Sequence, residues 1–582
     1  MIRKAVHSAS KAADDEPRYG GTLTLVGAGD VDYLDPALAY HTVTRGIVRA
    51  YTRQLVTYIA SRDREAAGVI VADMATEVPT RDNGRISRDG REYLFTIKEG
   101  VNWNAPSGIR PVIAEDMARG IKRLVHPAAP SPAVSYYLST IEGMAEFRDT
   151  LMGVACTVEA IAHCIEAHEI AGVRVVDDST LSFTTRYPTS DFLNMLALSF
   201  AAPAPREYLR HIPGDAEINQ RIISNGPYQI TRYVPGSEIV LERNPAWEPK
   251  TDDVRRAYVD RIHVRQGASE EEAYHSVASG TADMLWDIQP LTEKLPDLLQ
   301  SNDPRLEVYP AGLFSPYLVF NFLSPNAGCA TTKRKVRMAI QYAVDKTAVS
   351  RVWGGQELND IADQILPPLC SAHQDLCLYP TDGGRGNPDQ ARELLAEAGY
   401  PDGLTLKMVF RNQDIHPESA RAIQSSVRRA GVDLELVPVS INELFSTYFS
   451  SSSAARRGLW DLAFTGWEPD WYGNNARTYL QSLFDSSSVS ENDDWGSNFG
   501  YYHSARTNAL IHAALTSPDE AQANEYYREA EAEVMKDAAV VPILFAHQYW
   551  FHSTRVRNWL PYPVLNGDLT NLWLEEPPKA TE

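Results

Sequence analysis

Between residues 387 and 465 the sequence alternates between helix and strand patterns in short, regular steps. The run opens with Asn387-Pro388-Asp389-Gln390, where asparagine can cap a helix and proline suits the first helical position, and this helix is expected to end at Gly399. The elements expected next are a strand at 404–410, a helix at 419–429, a strand at 432–439, a helix at 441–449 and a strand at 460–465. Strands that alternate with helices over short links predict an α/β fold with a parallel sheet.

The last of these strands leads into the best candidate for a ligand site. The strand is apolar and aromatic, and Pro469 stops it from continuing. Gly466, Trp467, Asp470 and Trp471 therefore lie just past the carboxyl end of a parallel strand, where open α/β sheets bind ligands. A carboxylate between aromatic rings suits an ammonium group. The same residues also fit a loop acid with two packing tryptophans, and the residues alone leave both interpretations open.

Size and charge exclude several classes of protein. A chain of 582 residues exceeds one small core and predicts two to four domains. A formal net charge of −21 argues against nucleic-acid binding, which needs basic patches. No run of 18 apolar residues occurs, so we predict no transmembrane segment.

The N-terminus and the cysteines bear on the compartment of the protein. Residues 1–18 are polar and predict a disordered tether. They contain neither an apolar signal core nor a cysteine for lipidation, so either the protein is intracellular or an export signal has been removed. Cys370 and Cys377 could close a small disulfide, and Cys156 and Cys164 could pair if the segment between them is not one straight helix.

Other local patterns predict further helices and two strands that pass from one lobe to the other. Amphipathic spacing predicts helices at about 42–58 and 335–353, and Ser517-Pro518-Asp519-Glu520 is expected to cap a helix running to about residue 536. Apolar strands at 316–322 and 540–545 are expected to connect two lobes. Two such crossings predict a hinged cleft.

Motifs of catalysis are not found. The sequence has no GxGxxG after a strand, no Walker A motif, no HExxH and no GxSxG. We therefore predict that the protein is not an enzyme and needs no cofactor. Cys164 and His168 share a helix face but supply half a zinc site at best, so no metal site is predicted either.

Eight stretches in the same order resemble the extracytoplasmic solute-binding proteins of the dipeptide/oligopeptide type, family 5, which serve ABC importers. Each stretch is weak alone, but eight in the right order are specific, and the resemblance extends over nearly the whole chain, from about Gly20 to Leu574. The stretches are Gly21-Thr22-Leu23-Thr24, Leu34-Asp35-Pro36, Ala114-Glu115-Asp116, Asn225-Gly226-Pro227-Tyr228, Leu241-Glu242-Arg243-Asn244-Pro245, Val336-Arg337-Met338-Ala339-Ile340, Ala343-Val344-Asp345-Lys346 and residues 391–400.

This resemblance implies a periplasmic-binding-protein type II fold, with two lobes, a hinged cleft and a subdomain inserted in the first lobe. The implied boundaries are lobe I at 19–65, 224–314 and 542–582, the inserted subdomain at 66–223, and lobe II at 315–541. The resemblance also implies an extracytoplasmic protein, at the cell surface or in the periplasm, lipid-anchored through an N-terminal segment that has been removed. We expect a monomer that partners with ABC permease subunits.

The resemblance also assigns roles to particular residues. In peptide binders of this family, an acid in a Gly-Trp-x-x-Asp pattern holds the α-amino group of the peptide, and Gly466, Trp467 and Asp470 match this pattern. One relative has a peptide-contacting basic residue three positions before the tryptophan, where this chain has Phe464. Three further residues lie in regions that approach ligand in the family: Tyr40, His41 and Tyr136.

The function implied is capture of oligopeptides or peptide-like ligands outside the membrane and their delivery to a permease. Two alternatives are kept beside it. The same fold could bind an oligosaccharide, a metal chelate or a natural product, since aromatic platforms serve these ligands too. A hydrolase would need a nucleophile–base pair or a metal, which the motifs do not supply.

Overall fold

The computed structural model describes residues 16–413, 415–487, 496–562 and 567–575. Most of the predicted disordered tether, residues 1–15, lies outside these ranges. Among the described residues, none of the helices combines the length and the hydrophobicity that a membrane crossing requires.

Helices and strands occur throughout the described chain. The strands are β1 (Thr22–Gly27), β2 (Val56–Tyr58), β3 (Ile70–Ala72), β4 (Glu92–Thr96), β5 (Asn102–Ala105), β6 (Gly108–Pro111), β7 (Val173–Asp177), β8 (Thr180–Thr184), β9 (Tyr228–Val234), β10 (Glu238–Arg243), β11 (Arg261–Arg265), β12 (Met284–Trp286), β13 (Leu306–Phe320), β14 (Asn359–Ile361), β15 (Leu404–Arg411), β16 (Val432–Val439), β17 (Leu462–Trp467), β18 (Val540–Pro542), β19 (Leu544–Phe551), β20 (Val556–Arg557) and β21 (Trp573–Leu574). The α-helices span Thr42–Tyr51, Arg64–Ala67, Ala114–Arg123, Val134–Thr140, Met144–Met152, Val158–Ala167, Phe192–Leu196, Ala216–Asn219, Glu270–Ala278, Leu295–Gln300, Asn326–Cys329, Arg334–Ala343, Lys346–Val352, Pro388–Glu397, His416–Arg428, Ile441–Glu443, Ser452–Arg456, Ala476–Phe484, Ala505–Leu515 and Glu520–Lys536.

The chain folds into two compact units, divided between Glu307 and Val308 and again between Gln548 and Tyr549. The first unit holds the chain before the first division and after the second, and the second unit holds the residues between them. The predicted lobe boundaries, 314/315 and 541/542, lie seven residues away in each case. Both divisions fall inside long strands, β13 and β19, so no turn or loop in the sequence marks them. The proposed subdomain at 66–223 belongs to the first unit and stays a prediction.

The main sheet of the first unit has five strands in the order β12-β1-β11-β10-β9. β1 runs parallel to β11 and β12, whereas β10 is antiparallel to both β11 and β9. The β9–β10 hairpin turns at Pro235-Gly236, where Gly236 adopts a φ of 68° that suits glycine. Apolar side chains of β1, β10, β11 and the helix Thr42–Tyr51 form the core on this sheet.

A buried network of four charged side chains ties distant segments of the first unit together. Arg53 Nε donates to Asp73 Oδ1 at 2.7 Å, and Arg255 Nη2 donates to Asp73 Oδ2 at 2.8 Å. Asp252 lies 3.5 Å from Arg53 Nε and 3.3 Å from Arg255 Nη1. Burial acts to raise the pKa of both carboxyl groups, but the two guanidinium groups outweigh it and hold each pKa below its ordinary value.

The second unit is built on a seven-stranded sheet in the order β14-β19-β13-β17-β15-β16, with β18 also paired to β13. β15 is parallel to β16 and to β17, which confirms the parallel arrangement predicted from the alternating pattern. β17 is antiparallel to β13 on its other side. The predicted cap is also confirmed, since the Asn387 side chain accepts a hydrogen bond from Gln390 N at 3.1 Å.

Two predicted helices were too long. The helix predicted at 42–58 ends at Tyr51, because Arg53 N turns away to donate to Asn225 Oδ1 at 3.0 Å and the next residues form β2. The helix predicted at 335–353 divides into Arg334–Ala343 and Lys346–Val352. Asp345 begins the second piece by accepting from Ala348 N at 2.8 Å.

Two other helix predictions were wrong in detail. Ser517 does not cap the helix Glu520–Lys536, because Asp519 does so by accepting from Gln522 N at 3.0 Å. The Ser517 hydroxyl instead donates to Ala513 O at 2.8 Å. The helix predicted at 441–449 begins as the α-helical Ile441–Glu443 and continues as a π-helix at Leu444–Phe449.

All five cysteines carry free thiols in the structure. Neither of the disulfides considered from the sequence, Cys370 with Cys377 or Cys156 with Cys164, is therefore formed. Cys164 lies in the regular helix Val158–Ala167, whereas Cys156 precedes it. Cys370 is buried and Cys377 is exposed, so the Pro-rich loop directs the two side chains into different surroundings.

Glu531 is a buried acid in the second unit, on the helix Glu520–Lys536. Its Oε1 accepts hydrogen bonds from Ile365 N at 2.9 Å and Leu366 N at 2.7 Å, whereas its Oε2 is buried without a hydrogen-bond partner among the described residues. Burial raises the pKa of Glu531 to about 7, against the two backbone hydrogen bonds that lower it. Burial also raises the pKa of the neighbouring Cys370 to about 12, so that thiol stays neutral at physiological pH.

We expect Glu531 to make the stability of the protein fall as pH rises. The folded state keeps a proton that the unfolded chain loses near its ordinary pKa of 4.5, so this contribution is present below pH 4.5 and is lost as pH rises through 7. The loss amounts to about 3 kcal/mol in the free energy of unfolding. In Glu531→Gln an amide oxygen still accepts from both backbone N–H groups, and stability should no longer fall with rising pH. Urea denaturation between pH 5 and pH 8 measures the free energy of unfolding of both proteins.

The matched control is Glu533→Gln, two residues along the same helix, where the carboxylate accepts from Lys536 Nζ at the surface. This variant should keep the pH dependence of the wild-type protein. An equally steep loss of stability in Glu531→Gln and in the wild type would contradict the assignment.

Candidate functional site

The predicted ligand edge of the second unit is formed where β15 and β17 end side by side. Phe410 pairs with Phe464 in parallel register, so the ends of both strands point the same way. β17 closes with Gly466 and Trp467. A side chain at position 466 has no room, because its Cβ would lie 2.3 Å from Ser315 Oγ. Glycine is therefore required for β17 to approach β13 at this edge.

Trp467 is half-buried and fixed in orientation. Its Nε1 donates to Thr478 O at 2.9 Å, which ties the strand end to the helix Ala476–Phe484. Its ring lies 6.2 Å from the ring of Phe499 in an edge-to-face arrangement. Because the indole N–H is satisfied within the protein, the remaining exposed surface of Trp467 offers a π-face rather than a donor.

Asp470 lies in the loop between β17 and the helix Ala476–Phe484 and is only 3% exposed. The neighbouring Tyr479 is fully buried, and burial raises its pKa well above the ordinary value. The negative charge of Asp470 is one of several neighbouring charges that raise this pKa further. A carboxylate in such low-dielectric surroundings interacts strongly with a cation that approaches it.

Trp471 plays a different part from Trp467. It is fully buried, at 0% exposure, and its Nε1 donates to Asn474 O at 2.6 Å. The two tryptophans on either side of Asp470 are therefore not equivalent, because Trp471 packs inside the unit while Trp467 keeps a surface. Gly466 and Trp467 are the last residues of β17, and Asp470 and Trp471 follow in the loop, so the four lie close together in the chain. Their role in binding stays a prediction.

The remaining predicted site residues lie in the first unit. Tyr40 and His41 share one turn, since both backbone N–H groups donate to Asp32 Oδ2, at 2.8 and 3.0 Å. Tyr40 is half-buried, and His41 is exposed at the start of the helix Thr42–Tyr51. Tyr136 lies on another helix, Val134–Thr140, and is 5% exposed. The binding roles of all three stay predictions.

Two side chains that the sequence analysis did not single out adjoin the same strand edge of the second unit. Arg411 is the last residue of β15. The ring of His416, which opens the next helix, lies 5.7 Å from the ring of Phe464 and 6.2 Å from that of Trp353. The alternating pattern contained the signal, because residues that follow neighbouring parallel strands meet at one edge.

Metal ligands do not gather anywhere in the part of the chain that the structure describes. No group of three or more His, Cys, Asp and Glu side chains there is placed to hold a metal ion. Cys164 Sγ lies 3.6 Å from His168 Nδ1, which gives a pair of potential ligands and not a set.

Comparisons with known proteins agree with this architecture. The family model "Bacterial extracellular solute-binding proteins, family 5 Middle" matches residues 69–491. The periplasmic oligopeptide-binding protein OppA of Salmonella typhimurium is 24% identical over 84% of this chain and 82% of its own length. Heme-binding protein A of Haemophilus influenzae is 24% identical over 83% of this chain and 81% of its own length. The solved structure titled "Clavulanic acid biosynthesis oligopeptide binding protein 2" is 25% identical, with a TM-score of 0.84 and 97% of each chain covered.

The two α/β units and the solved structures they resemble define a binding protein of the periplasmic-binding-protein type II fold, which confirms the fold class predicted from the sequence. Within that class, the chain belongs to the bacterial extracellular solute-binding proteins of family 5.

Proposed function

We propose that this protein captures peptides or peptide-like solutes with a free amino group outside the membrane and delivers them to the permease of an ABC importer. The observation that carries the proposal is the buried carboxylate of Asp470, placed just past the end of β17 and three residues from the half-exposed ring of Trp467. A buried carboxylate attracts an approaching cation more strongly than an exposed one does, and an aromatic face adds to the attraction for an ammonium group.

The peptide class of ligand is supported by relatives that carry the same pattern of fold and sequence. OppA is named for oligopeptides, and its similarity extends over most of both chains. We also propose that the protein is not an enzyme: it binds its solute, leaves it chemically unchanged and transfers it to the permease. We further propose that it acts as a monomer and is held at the membrane by an N-terminal lipid anchor.

A second candidate keeps the fold and changes the solute. Heme-binding protein A is as similar to this chain as OppA is, at 24% identity, so the family fold accommodates chemically different ligands. In this chain Phe464 replaces a basic peptide-contacting residue of one relative, which removes a charge that such a contact would use. A heme, a sugar or another natural product without a free amine is the alternative solute.

Calorimetry with matched tripeptides tests the proposal. We expect a peptide with a free α-amino group to bind at least tenfold more tightly than the same peptide acetylated at its N-terminus, since acetylation removes the charge that Asp470 would hold. Mass spectrometry of solutes that co-purify with the protein identifies the natural ligand independently. Equal affinity for the free and acetylated peptides, or a co-purified solute without an amine, would favour the second candidate.

A further inference from the structure

The second unit contains an irregular segment, residues 364–379, that lies along the helix Glu520–Lys536. Asn524 Nδ2 donates to Ser371 Oγ at 3.3 Å, and Arg528 Nε donates to Ala372 O at 3.2 Å. The segment forms neither helix nor strand, so its path is fixed by contacts of this kind. The helix positions that bond to it are spaced by three or four residues and therefore share one side of the helix. They are Asn524, Arg528, Glu531 and Met535.

Glu531 lies in the middle of this contact and is fully buried, at 0% exposure. One carboxyl oxygen, Oε1, accepts from the backbone N–H groups of Ile365 and Leu366, at 2.9 and 2.7 Å. The other oxygen, Oε2, has no hydrogen-bond partner among the described residues. A neutral carboxyl group tolerates such surroundings, whereas an ionised one is strongly destabilised unless a positive charge compensates it.

The charged side chains nearest in the chain to this contact have partners of their own. On the helix, Arg528 donates to the segment through Nε and to Glu525 Oε1 through Nη1, the latter at 2.7 Å. On the segment, His373 Nε2 lies 3.7 Å from Asp375 Oδ1. The surroundings therefore hold the positive charges of Arg528 and His373 toward groups other than Glu531.

Two further titratable groups pack beside the segment and are neutral. Burial raises the pKa of the Cys370 thiol to about 12, and it raises that of Tyr479, on the helix Ala476–Phe484, well above its ordinary value. Neither group offers Glu531 a positive charge. Burial likewise raises the pKa of Glu531 to about 7, against the two backbone hydrogen bonds, so the closed segment favours its protonated form.

The closed segment also encloses the thiol of Cys370. Cys370 is 4% exposed and belongs to the same apolar core as Ile365, Leu366 and Ala372. Burial of these side chains keeps the segment closed most of the time, so the thiol is reached only through an opening of the segment. In the open state water surrounds Glu531, and its carboxylate is no longer in an apolar environment.

We propose that the 364–379 segment is a pH-sensitive cover over Glu531 and Cys370. It stays closed while Glu531 is protonated, and its opening releases that proton to water, so opening becomes more frequent as pH rises. Each opening exposes the thiol of Cys370. The proposal concerns the second unit alone and does not rest on peptide binding.

Hydrogen exchange of the full-length protein, read by mass spectrometry, tests the proposal at the backbone N–H groups of Ile365 and Leu366. Opening replaces a pKa of about 7 by the ordinary 4.5, so the open fraction should rise about 50-fold between pH 5 and pH 8. Glu531→Gln keeps both hydrogen bonds and cannot ionise. The ratio of wild-type to variant exchange rates should therefore rise by this factor, since the intrinsic effect of pH on exchange and any contribution of His373 cancel in the ratio.

Alkylation of Cys370 by iodoacetamide gives a second measurement of the same opening. The ratio of wild-type to Glu531→Gln alkylation rates should rise with pH by the same factor at Cys370. It should stay constant at Cys329, whose thiol is exposed and lies outside the segment.

Two other variants keep the test sharp. Arg528→Met removes one hydrogen bond to the segment, so exchange should be faster at every pH and still rise with pH; this variant serves if Glu531→Gln does not fold. Glu533→Gln, at the surface of the same helix, should behave as the wild type. A wild-type to Glu531→Gln ratio that stays constant from pH 5 to pH 8 would overturn the proposal. So would protection of Ile365 and Leu366 equal to that of β15–β17, because the segment would then open only when the whole unit unfolds.

Discussion

Replacing Asp73 by alanine is expected to lower the free energy of unfolding by about 3–5 kcal/mol. Asp73 is fully buried and accepts hydrogen bonds from two guanidinium groups, those of Arg53 and Arg255. Without it, both arginines share the single remaining carboxylate of Asp252. A buried positive charge is then left without enough compensation, and this costs more than the lost hydrogen bonds themselves.

Urea denaturation of the full-length protein measures this loss, and hydrogen exchange of residues 51–58 localises it to the first unit. Asp260→Ala is the matched control, because Asp260 also pairs with an arginine, Arg243 at 3.1 Å, but its side chain is 63% exposed. Exposed pairs of this kind contribute about 0–1 kcal/mol. If Asp73→Ala loses no more stability than Asp260→Ala, the network does not hold the first unit together.

The pH dependence of the Asp73 effect has a definite sign. The arginines keep the pKa of Asp73 below its ordinary value of 3.8 although burial acts to raise it. The contribution of Asp73 is therefore present above pH 4 and is lost as pH falls toward the depressed pKa of the folded state. The difference in stability between the wild-type protein and Asp73→Ala should narrow below pH 4, the reverse of the trend expected for Glu531.

Local sequence patterns were enough to predict the framework of the second unit. Asn387 caps its helix through a bond to Gln390, three residues away, and β15, β16 and β17 all contribute buried apolar residues to one core. Each of these signals lies within one helix or strand, so it can be recognised without knowledge of the rest of the chain. The parallel order then followed from the short helical links between the strands.

The features that escaped prediction depend on residues far apart in the chain. Arg53 and Arg255 are 202 positions apart, and nothing near either of them indicates that Asp73 bridges the two. The predicted end of one helix was wrong for the same reason, because the helix beginning at Thr42 ends where Arg53 bonds to the distant Asn225. Tertiary partners, and not propensity, decide such details.

For the candidate site too, local patterns indicated some features and gave no sign of others. Its position at a strand edge followed from the pattern, but the different burial of Trp467 and Trp471 did not. The two tryptophans are only four residues apart, but Trp467 ends β17 and bonds to Thr478 O on the helix Ala476–Phe484, whereas Trp471 is enclosed in the loop and bonds to Asn474 O. The full burial of Trp471 fits the alternative left open by the sequence, a loop acid with packing tryptophans, whereas Trp467 keeps exposed surface.

Replacing Asp470 by asparagine is expected to weaken the binding of free-amine peptides by about 2–4 kcal/mol, or roughly 30- to 1000-fold in dissociation constant. Asparagine keeps the shape of the side chain in its buried loop but removes the charge, so the ammonium group of the solute would be desolvated without a counterion. Calorimetry with the free and acetylated forms of one tripeptide measures the effect. The acetylated form should bind the variant and the wild-type protein with affinities within about threefold of each other.

The control for this experiment is Glu468→Gln, which removes an acid two residues earlier in the same loop, where Glu468 Oε1 accepts from Gln548 Nε2 at 3.4 Å. Because Asp470 is far more buried than Glu468, the ion pair it forms should be the stronger of the two, and Glu468→Gln should change affinity much less. A large loss of affinity in Glu468→Gln, with little loss in Asp470→Asn, would mean that Glu468 and not Asp470 holds the amine. An equal loss for free and acetylated peptides in Asp470→Asn would mean that Asp470 shapes the loop and does not hold the amine.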